Sequence, residues 1–244
     1  MKIEETTHSK VKISCANCHA RAFCLPKNIS DYEVERINRL VQMRRTIKKG
    51  SKLIKAHMPF HAIYAIRTGF FKTTLRAEGG QEHLVGFQMV GDCLGLDGIA
   101  KQEHVADVTA LEDSDICVLP YNEIENLSRV SPAFQRHFIQ ILSQEIVREN
   151  YNLLMLSQMS AEERVAHFIQ NLTHRLRDRG FSCSEVLLRM TRVEMGQYLG
   201  LQLETISRTL SKLSKNGVLD IQQRHLRILD KGALERITGK SSLA

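Results

Sequence analysis

The sequence predicts an α+β fold laid out as three consecutive parts: an N-terminal β-roll, one long helix, and a C-terminal winged helix-turn-helix. Three observations predict it. Between Arg45 and Pro120 short apolar runs alternate with glycine-containing turns. From Ala133 to Gln158 the chain has no Gly and no Pro. From Thr191 onward two helical patterns flank Gly200 and lead into two short strand-like runs. A cysteine-rich segment precedes all of this. The expected boundaries are therefore 1–29 for the cysteine-rich segment, 30–131 for the β-roll, 132–159 for the long helix and 160–244 for the winged helix.

Composition narrows the function. A chain of 244 residues has room for two domains. No apolar run approaches the roughly 18 residues of a membrane span. The N-terminus is polar and charged, residues 1–12 above all, with no signal-peptide core. The expectation is a cytoplasmic protein with no membrane partner, in which six cysteines serve as metal ligands or free thiols rather than disulfides. The formal charge of +7 favours an anionic partner. From Ala161 onward there are 14 Lys and Arg against 9 Asp and Glu, so most of the excess sits in the last third.

In chain order, Cys15, Cys18 and Cys24 come first, in SCANCHARAFC. SDYEVERINRLV follows, with Ser30 and Glu33 as a capping box and Val34, Ile37, Leu40 and Val41 at helical spacing. The roll is predicted from KLIKA, AIYAIRTGFFKTTL, EHLVGFQMV, DVTAL and DICVLP, punctuated by Lys49-Gly50, Gly79-Gly80, Gly91-Asp92 and Asp97-Gly98. Gly79-Gly80 suits a hairpin turn. Ser131-Pro132 starts the long helix. At about 1.5 Å per residue that helix is about 39 Å long. One of its faces reads Ile139, Leu142, Ile146, Glu149, Leu153 and Leu156, in alternating steps of three and four. That is the seam of a two-helix coiled coil with a single acid in its middle. A second face with Phe134, Phe138 and Ile141 is free to pack elsewhere. A buried core helix with Glu149 turned outward is the competing account of the same pattern.

Two more capping boxes, Ser160/Glu163 and Thr191/Glu194, open the next helices. Arg179-Gly180 closes the first, Gly200 breaks the second, and Leu203–Ser214 resumes the helical pattern up to Asn216-Gly217. The runs VLDI and HLRIL form the hairpin. In a winged helix-turn-helix the second helix lies in the major groove of double-stranded DNA. Ile206, Leu210 and Leu213 define its inner face, which leaves Glu204, Ser207, Arg208 and Ser211 pointing outward. Glu accepts from the cytosine amino group, Arg forks onto guanine, and Ser adapts to either. Thr205, Lys212 and Lys215 are placed for phosphates. An ordinary solvated helix would show a similar charged face, but the hairpin and the basic excess favour DNA.

MTRVEMGQYLGLQLETISRTLSKLSKNGVL resembles the DNA-binding helices of the CRP/FNR family, and Glu204–Arg208, E-T-I-S-R, resembles the FNR branch, named for fumarate and nitrate reduction. The resemblance extends over nearly the whole chain, from the cysteine-rich start through a cyclic-nucleotide-binding-like roll to the winged helix. It implies a homodimer whose Glu204, Ser207 and Arg208 read a palindrome similar to TTGAT-N4-ATCAA. Two-fold symmetry in DNA matches the seam on the long helix.

The cysteines stand as C-x2-C-x5-C, a turn that aims two thiolates at one point with a third close behind. Cys93, Cys117 and Cys183 are candidates for a fourth ligand, and nothing local decides among them. By spacing alone zinc and iron–sulfur fit equally, with a thiol–disulfide switch as a further alternative. The family resemblance implies a [4Fe-4S] cluster on Cys15, Cys18, Cys24 and Cys117, which leaves Cys93 and Cys183 as ordinary buried thiols. His19 and Phe23 depart from the family's pattern and are expected to sit against the cluster, with His19 a remote candidate ligand. The CRP branch binds cyclic AMP through a Glu and an adjacent Arg-Ser pair. This chain has His104-Val105 there, with no phosphate clamp, so no cyclic nucleotide is expected. No flavin, nicotinamide or substrate motif points to an enzyme. The expectation is an oxygen-responsive regulator, with RNA polymerase contacted through Gly79-Gly80 and Arg179-Gly180-Phe181. The rival is a regulator of the same fold with a structural zinc and no oxygen response.

Overall fold

Ser30 accepts a hydrogen bond from Glu33 N while the Glu33 carboxylate accepts one from Ser30 N, so both ends of the predicted capping box are made. The computed structural model in which this is seen describes residues 14–26, 29–41, 43–77 and 79–239. The polar lead-in over residues 1–12 lies outside them. The chain divides into two compact units, 1–144 and 145–244, and the division falls inside the long helix.

The first unit begins with a 3-10 turn, Cys15–Asn17, then α1 (Arg21–Cys24) and α2 (Asp31–Leu40). The strands are β1 (Met43–Ile47), β2 (Lys52–Ile54), β3 (Ala62–Thr68), β4 (Phe70–Arg76), β5 (Glu82–Met89), β6 (Cys93–Leu94), β7 (Ala106–Ala110) and β8 (Ser114–Pro120). They form two antiparallel four-stranded sheets, β1-β8-β3-β6 and β2-β7-β4-β5. Ile47, Ile66, Leu94 and Ile116 from the first sheet meet Ile54, Phe71, Val108 and Ala110 from the second in one core. The single run AIYAIRTGFFKTTL is in fact two strands in different sheets. Gly69 makes the crossing at φ +105°, and a Cβ there would fall 2.0 Å from Ser114 Oγ. Gly80 turns the β4–β5 hairpin at φ +78°.

α3 (Tyr121–Val130) and α4 (Pro132–Gln158) follow β8. Pro132 is the first residue of α4, and Ser131 Oγ accepts from Phe134 N while donating to Glu33 Oε1. Glu33 thus serves both its own helix cap and the start of α4. Phe134 is buried with Ile37, Ile63 and Ile124, and Phe138 packs against the same cluster. The second apolar face expected of the long helix is therefore in contact with the roll.

The second unit contains α5 (Ala161–Asp178), β9 (Glu185–Leu187), α6 (Arg192–Leu199), α7 (Leu203–Lys215), β10 (Leu219–Gln222), β11 (His225–Ile228) and α8 (Lys231–Ile237). The capping boxes Ser160/Glu163 and Thr191/Glu194 are both closed. The wing is three-stranded, β10-β11-β9, one strand more than the hairpin expected. No helix among the described residues is long and apolar enough to cross a membrane.

Candidate functional site

The thiol segment is shaped by local hydrogen bonds. Ser14 Oγ accepts from Ala16 N and opens the turn, and Cys18 N donates to Cys15 O at 3.4 Å. Arg21 N donates to Cys18 O and carries the chain into α1, which ends at Cys24. Cys15 N donates to Asn38 Oδ1 at 3.1 Å, which ties the turn to α2. Cys117 lies inside β8, paired with Arg44 on β1 and Ala65 on β3.

Cys15, Cys18, Cys24 and Cys117 line one cavity of about 70 Å³. Its wall is otherwise almost entirely apolar, with Ile37, Ile63, Leu119 and Phe134 among the residues that line it. Burial pushes the Cys15 thiol up to about 11 and raises Cys24 and Cys117 as well. At Cys117 the Arg44 guanidinium hydrogen-bonds the sulfur and opposes that rise. A cation entering the cavity would displace these thiol protons, because thiolate is the form that ligates. Among the described residues no three His, Cys, Asp or Glu side chains close on a point that would hold a single metal ion.

Three expectations change at this cavity. His19 is exposed, and neither it nor Phe23 lines the cavity. His19 follows Cys18 on the outer side of the turn, and Phe23 packs at Gly91, where a Cβ would lie 2.9 Å from the Phe23 side chain. The histidine that lines the cavity is His137 on α4, with Nε2 3.2 Å from Phe23 O and a pKa lowered by burial. Cys93 is half-buried and lines the cavity with the other four cysteines. Cys183 is also half-buried, but it lies in the second unit, where Lys231 Nζ donates to its sulfur at 3.3 Å.

In the roll, Asp97 Oδ2 accepts from Val105 N and Ala106 N at 2.9 and 3.2 Å. Asp97 Oδ1 lies 3.2 Å from Nδ1 of His104, which is buried. An internal carboxylate thus takes the backbone donors beside the His104-Val105 pair.

Along α4 the seam residues Ile139, Ile146 and Leu153 are 55%, 62% and 65% exposed. Leu156 is also exposed and Leu142 is half-buried. Glu149 is exposed, and its Oε2 accepts from Asn152 Nδ2 at 3.4 Å. Arg148 pairs instead with Glu145. Asn152 Oδ1 accepts from the Tyr198 hydroxyl at 2.8 Å, so Glu149 is linked through Asn152 to the end of α6.

On α7, Ile206, Leu210 and Leu213 are buried to 2% exposure or less. Glu204, Arg208, Ser211 and Lys212 are exposed, while Thr205 and Ser207 are half-buried. Ser207 Oγ accepts from Arg192 at 3.4 Å, and Ser211 Oγ donates back to Ser207 O. Lys212 Nζ is paired with Glu162 Oε2 at 2.5 Å, so a phosphate there would have to displace a carboxylate. Gly200, at φ +63°, turns the chain between α6 and α7. Sequence reasoning missed Arg164. Its guanidinium donates to Leu156 O, Met159 O and Leu199 O at 2.8, 2.9 and 3.0 Å, which locks the ends of α4 and α6 together.

Two family models match this chain: the Crp-like helix-turn-helix domain over residues 163–237 and the cyclic nucleotide-binding domain over residues 44–130. The chain is 35% identical to electron transport regulator A of Shewanella oneidensis over 100% of its own length and 97% of that protein's. It is 38% identical to the anaerobic regulatory protein of Pasteurella multocida, covering 93% of this chain and 83% of the relative. It is 36% identical to the fumarate and nitrate reduction regulatory protein of Escherichia coli K12, covering 93% and 91%. The structure of FixK2 from Bradyrhizobium japonicum superposes with a TM-score of 0.74 at 24% identity, covering 81% of this chain and 97% of that one, a likeness of fold. With relatives of this identity along its whole length, the chain belongs to the CRP/FNR family of DNA-binding transcription regulators and is not an enzyme.

Proposed function

We propose that this chain is an anaerobic, oxygen-responsive regulator that holds a [4Fe-4S] cluster on Cys15, Cys18, Cys24 and Cys117. As a homodimer it binds a palindrome of the TTGAT-N4-ATCAA type. The observation that carries the reading is the meeting of the N-terminal trio with Cys117 around one cavity, in a chain whose relatives are named anaerobic regulatory proteins. Four ligands on one zinc ion stand about 2.3 Å from a single point. A [4Fe-4S] cluster would be held by four cysteine thiolates, and the names of the chain's relatives favour it over zinc.

When bound, the cluster supplies an oxygen-labile centre. The chain's own residues do the rest. Asn38 and α2 hold the Cys15 turn, and β8 holds Cys117, so ligation ties the N-terminal segment to the roll. Phe134, Phe138, His137 and Ile141 of α4 line the same cavity, which puts the long helix in contact with the site. The exposed seam pairs with a second copy, and Glu149 keeps that pairing marginal, so the ligation state decides whether the dimer forms. In the dimer, Glu204, Ser207 and Arg208 read bases, while Thr205, Ser211 and Lys212 approach the backbone and neighbouring edges. Gly79-Gly80 and Arg179-Gly180-Phe181 face RNA polymerase. His104-Val105 stands where the CRP branch has its Arg-Ser pair, and Asp97 accepts from the adjoining Val105 N and Ala106 N, which supports a regulator with no cyclic nucleotide.

The test is the visible spectrum of anaerobically purified protein before and after air. The proposal expects a brown chromophore that air bleaches irreversibly. A colourless, air-indifferent protein would favour structural zinc, and an air-tolerant or reversibly bleached chromophore would indicate an electron-transfer cluster.

A further inference from the structure

We propose that Cys93 is a second sheet thiol of the cluster pocket, able to take the fourth ligand position in place of Cys117. The inference rests on the reading of Cys15, Cys18 and Cys24 as cluster ligands.

It comes from strand register. In the sheet β1-β8-β3-β6, Cys93 is paired with Ala65, Ala65 with Cys117, and Cys117 with Arg44. Directly paired residues of neighbouring strands project from the same face. Cys93 and Cys117 therefore stand on one face, one on each side of Ala65. At about 4.8 Å per strand their backbones are about 10 Å apart. The residue between them carries only a methyl group, which leaves the space above it open. That face is the one turned to the cavity, since Cys93, Ala65 and Cys117 all line it. Cys15, Cys24 and Cys93 also pack against the same apolar cluster.

Cys93 thus meets the criteria of donor type, face and cavity that mark Cys117. Arg44 lies on the Cys117 side of the row. It pairs with Cys117 across β1 and β8 and hydrogen-bonds that sulfur. Cys117 is the preferred ligand and Cys93 the reserve, so five thiols surround a group that takes four. The exchange replaces one thiolate by another. Cys93 gives up a proton and Cys117 takes one, so neither total charge nor iron oxidation state changes.

The experiment measures iron and acid-labile sulfide per chain in anaerobically purified full-length proteins. Wild type and Cys93→Ser should be equally loaded. Cys117→Ser should keep a cluster at reduced occupancy, and Cys93→Ser/Cys117→Ser should hold at least about tenfold less iron than Cys117→Ser. A second readout is alkylation followed by mass spectrometry. Cys93 should be alkylated in loaded wild type and shielded in loaded Cys117→Ser, and equal alkylation in the two would overturn the proposal. A loaded wild type with an empty Cys117→Ser, or equal iron in the single and double variants, would also overturn it. Wild type lacking iron and sulfide would defeat the cluster reading itself, and the role of Cys93 with it.

Discussion

Arg164→Ala should loosen the join between the long helix and the DNA-reading helices. The guanidinium donates to Leu156 O in the last turn of α4, to Met159 O just beyond it and to Leu199 O at the end of α6. These carbonyls are among those a helix leaves without partners, and a cation suits the negative end of the helix dipole. Hydrogen bonds from a charged donor contribute about 1.5–3 kcal/mol each when buried. Here the side chain is half-buried and the carbonyls can recover water, so a total of about 3 kcal/mol is the working figure. That corresponds to about a hundredfold change in a local opening equilibrium. Hydrogen exchange on the full chain should therefore show amides of α6 and of the Gly200 turn exchanging about a hundredfold faster in Arg164→Ala. Arg164→Lys should fall between, because an ammonium cannot fork to three carbonyls. Exchange in Arg164→Ala within about threefold of wild type would mean that Arg164 does not hold the two helix ends together, since about 0.5 kcal/mol is what an ordinary surface change costs.

The other predictions concern the seam, the reading helix and pH. Two Glu149 carboxylates about 5 Å apart across a dimer axis repel by about 3 kcal/mol at an effective dielectric near 20. Glu149→Ala should thus tighten the cluster-free dimer by about a hundredfold in sedimentation, whereas Ile146→Glu should be monomeric even without air; an unchanged constant in Glu149→Ala would remove the seam's poise. Arg208→Ala should cost about 1–3 kcal/mol per half-site and relax preference at one base, while Lys212→Ala should weaken all sequences alike and flatten the salt slope by about one; competition binding separates the two, and an unaltered base preference in Arg208→Ala would exclude it as a reader. Burial lowers the His167 pKa below the ordinary imidazole value of about 6.5, and Nδ1 is buried with no hydrogen-bond partner among the described residues. The unfolded chain then binds that proton more readily, so stability is complete above about pH 6.5 and falls as pH drops below it. His167→Gln should flatten that slope in denaturant titrations; an equal slope would show that other groups carry it.

The parts of the fold legible in the sequence were those set by residues near each other in the chain. Ser30/Glu33, Ser160/Glu163 and Thr191/Glu194 each need only a three-residue spacing, and all three caps are present. The apolar stripe Ile206, Leu210, Leu213 needs only a helical period. What stayed hidden depends on partners far along the chain. β1 is written Met-Arg-Arg-Thr-Ile, and its edge position beside β8 makes it a strand where alternation does not. β6 is two residues long and exists because β3 pairs with it. At the thiol cavity the C-x2-C-x5-C trio was visible from spacing, but Cys93 joins it only through the register of β6, β3 and β8. His19 drew attention because it adjoins Cys18, yet the side of a tight turn that a residue faces is settled by the turn's hydrogen bonds. His137 lines the cavity from a helix more than a hundred residues away, a placement no local pattern announces.

In the proposed function, oxygen acts on DNA binding through the thiol cavity. One anaerobic sample titrated with air-saturated buffer tests it, with visible absorbance and affinity for a TTGAT-N4-ATCAA duplex followed together. Both should fall in step, and Cys24→Ser should start colourless with the weak affinity of the aerated wild type. Tight binding that persists after the absorbance is gone, or affinity that never depended on air, would contradict it.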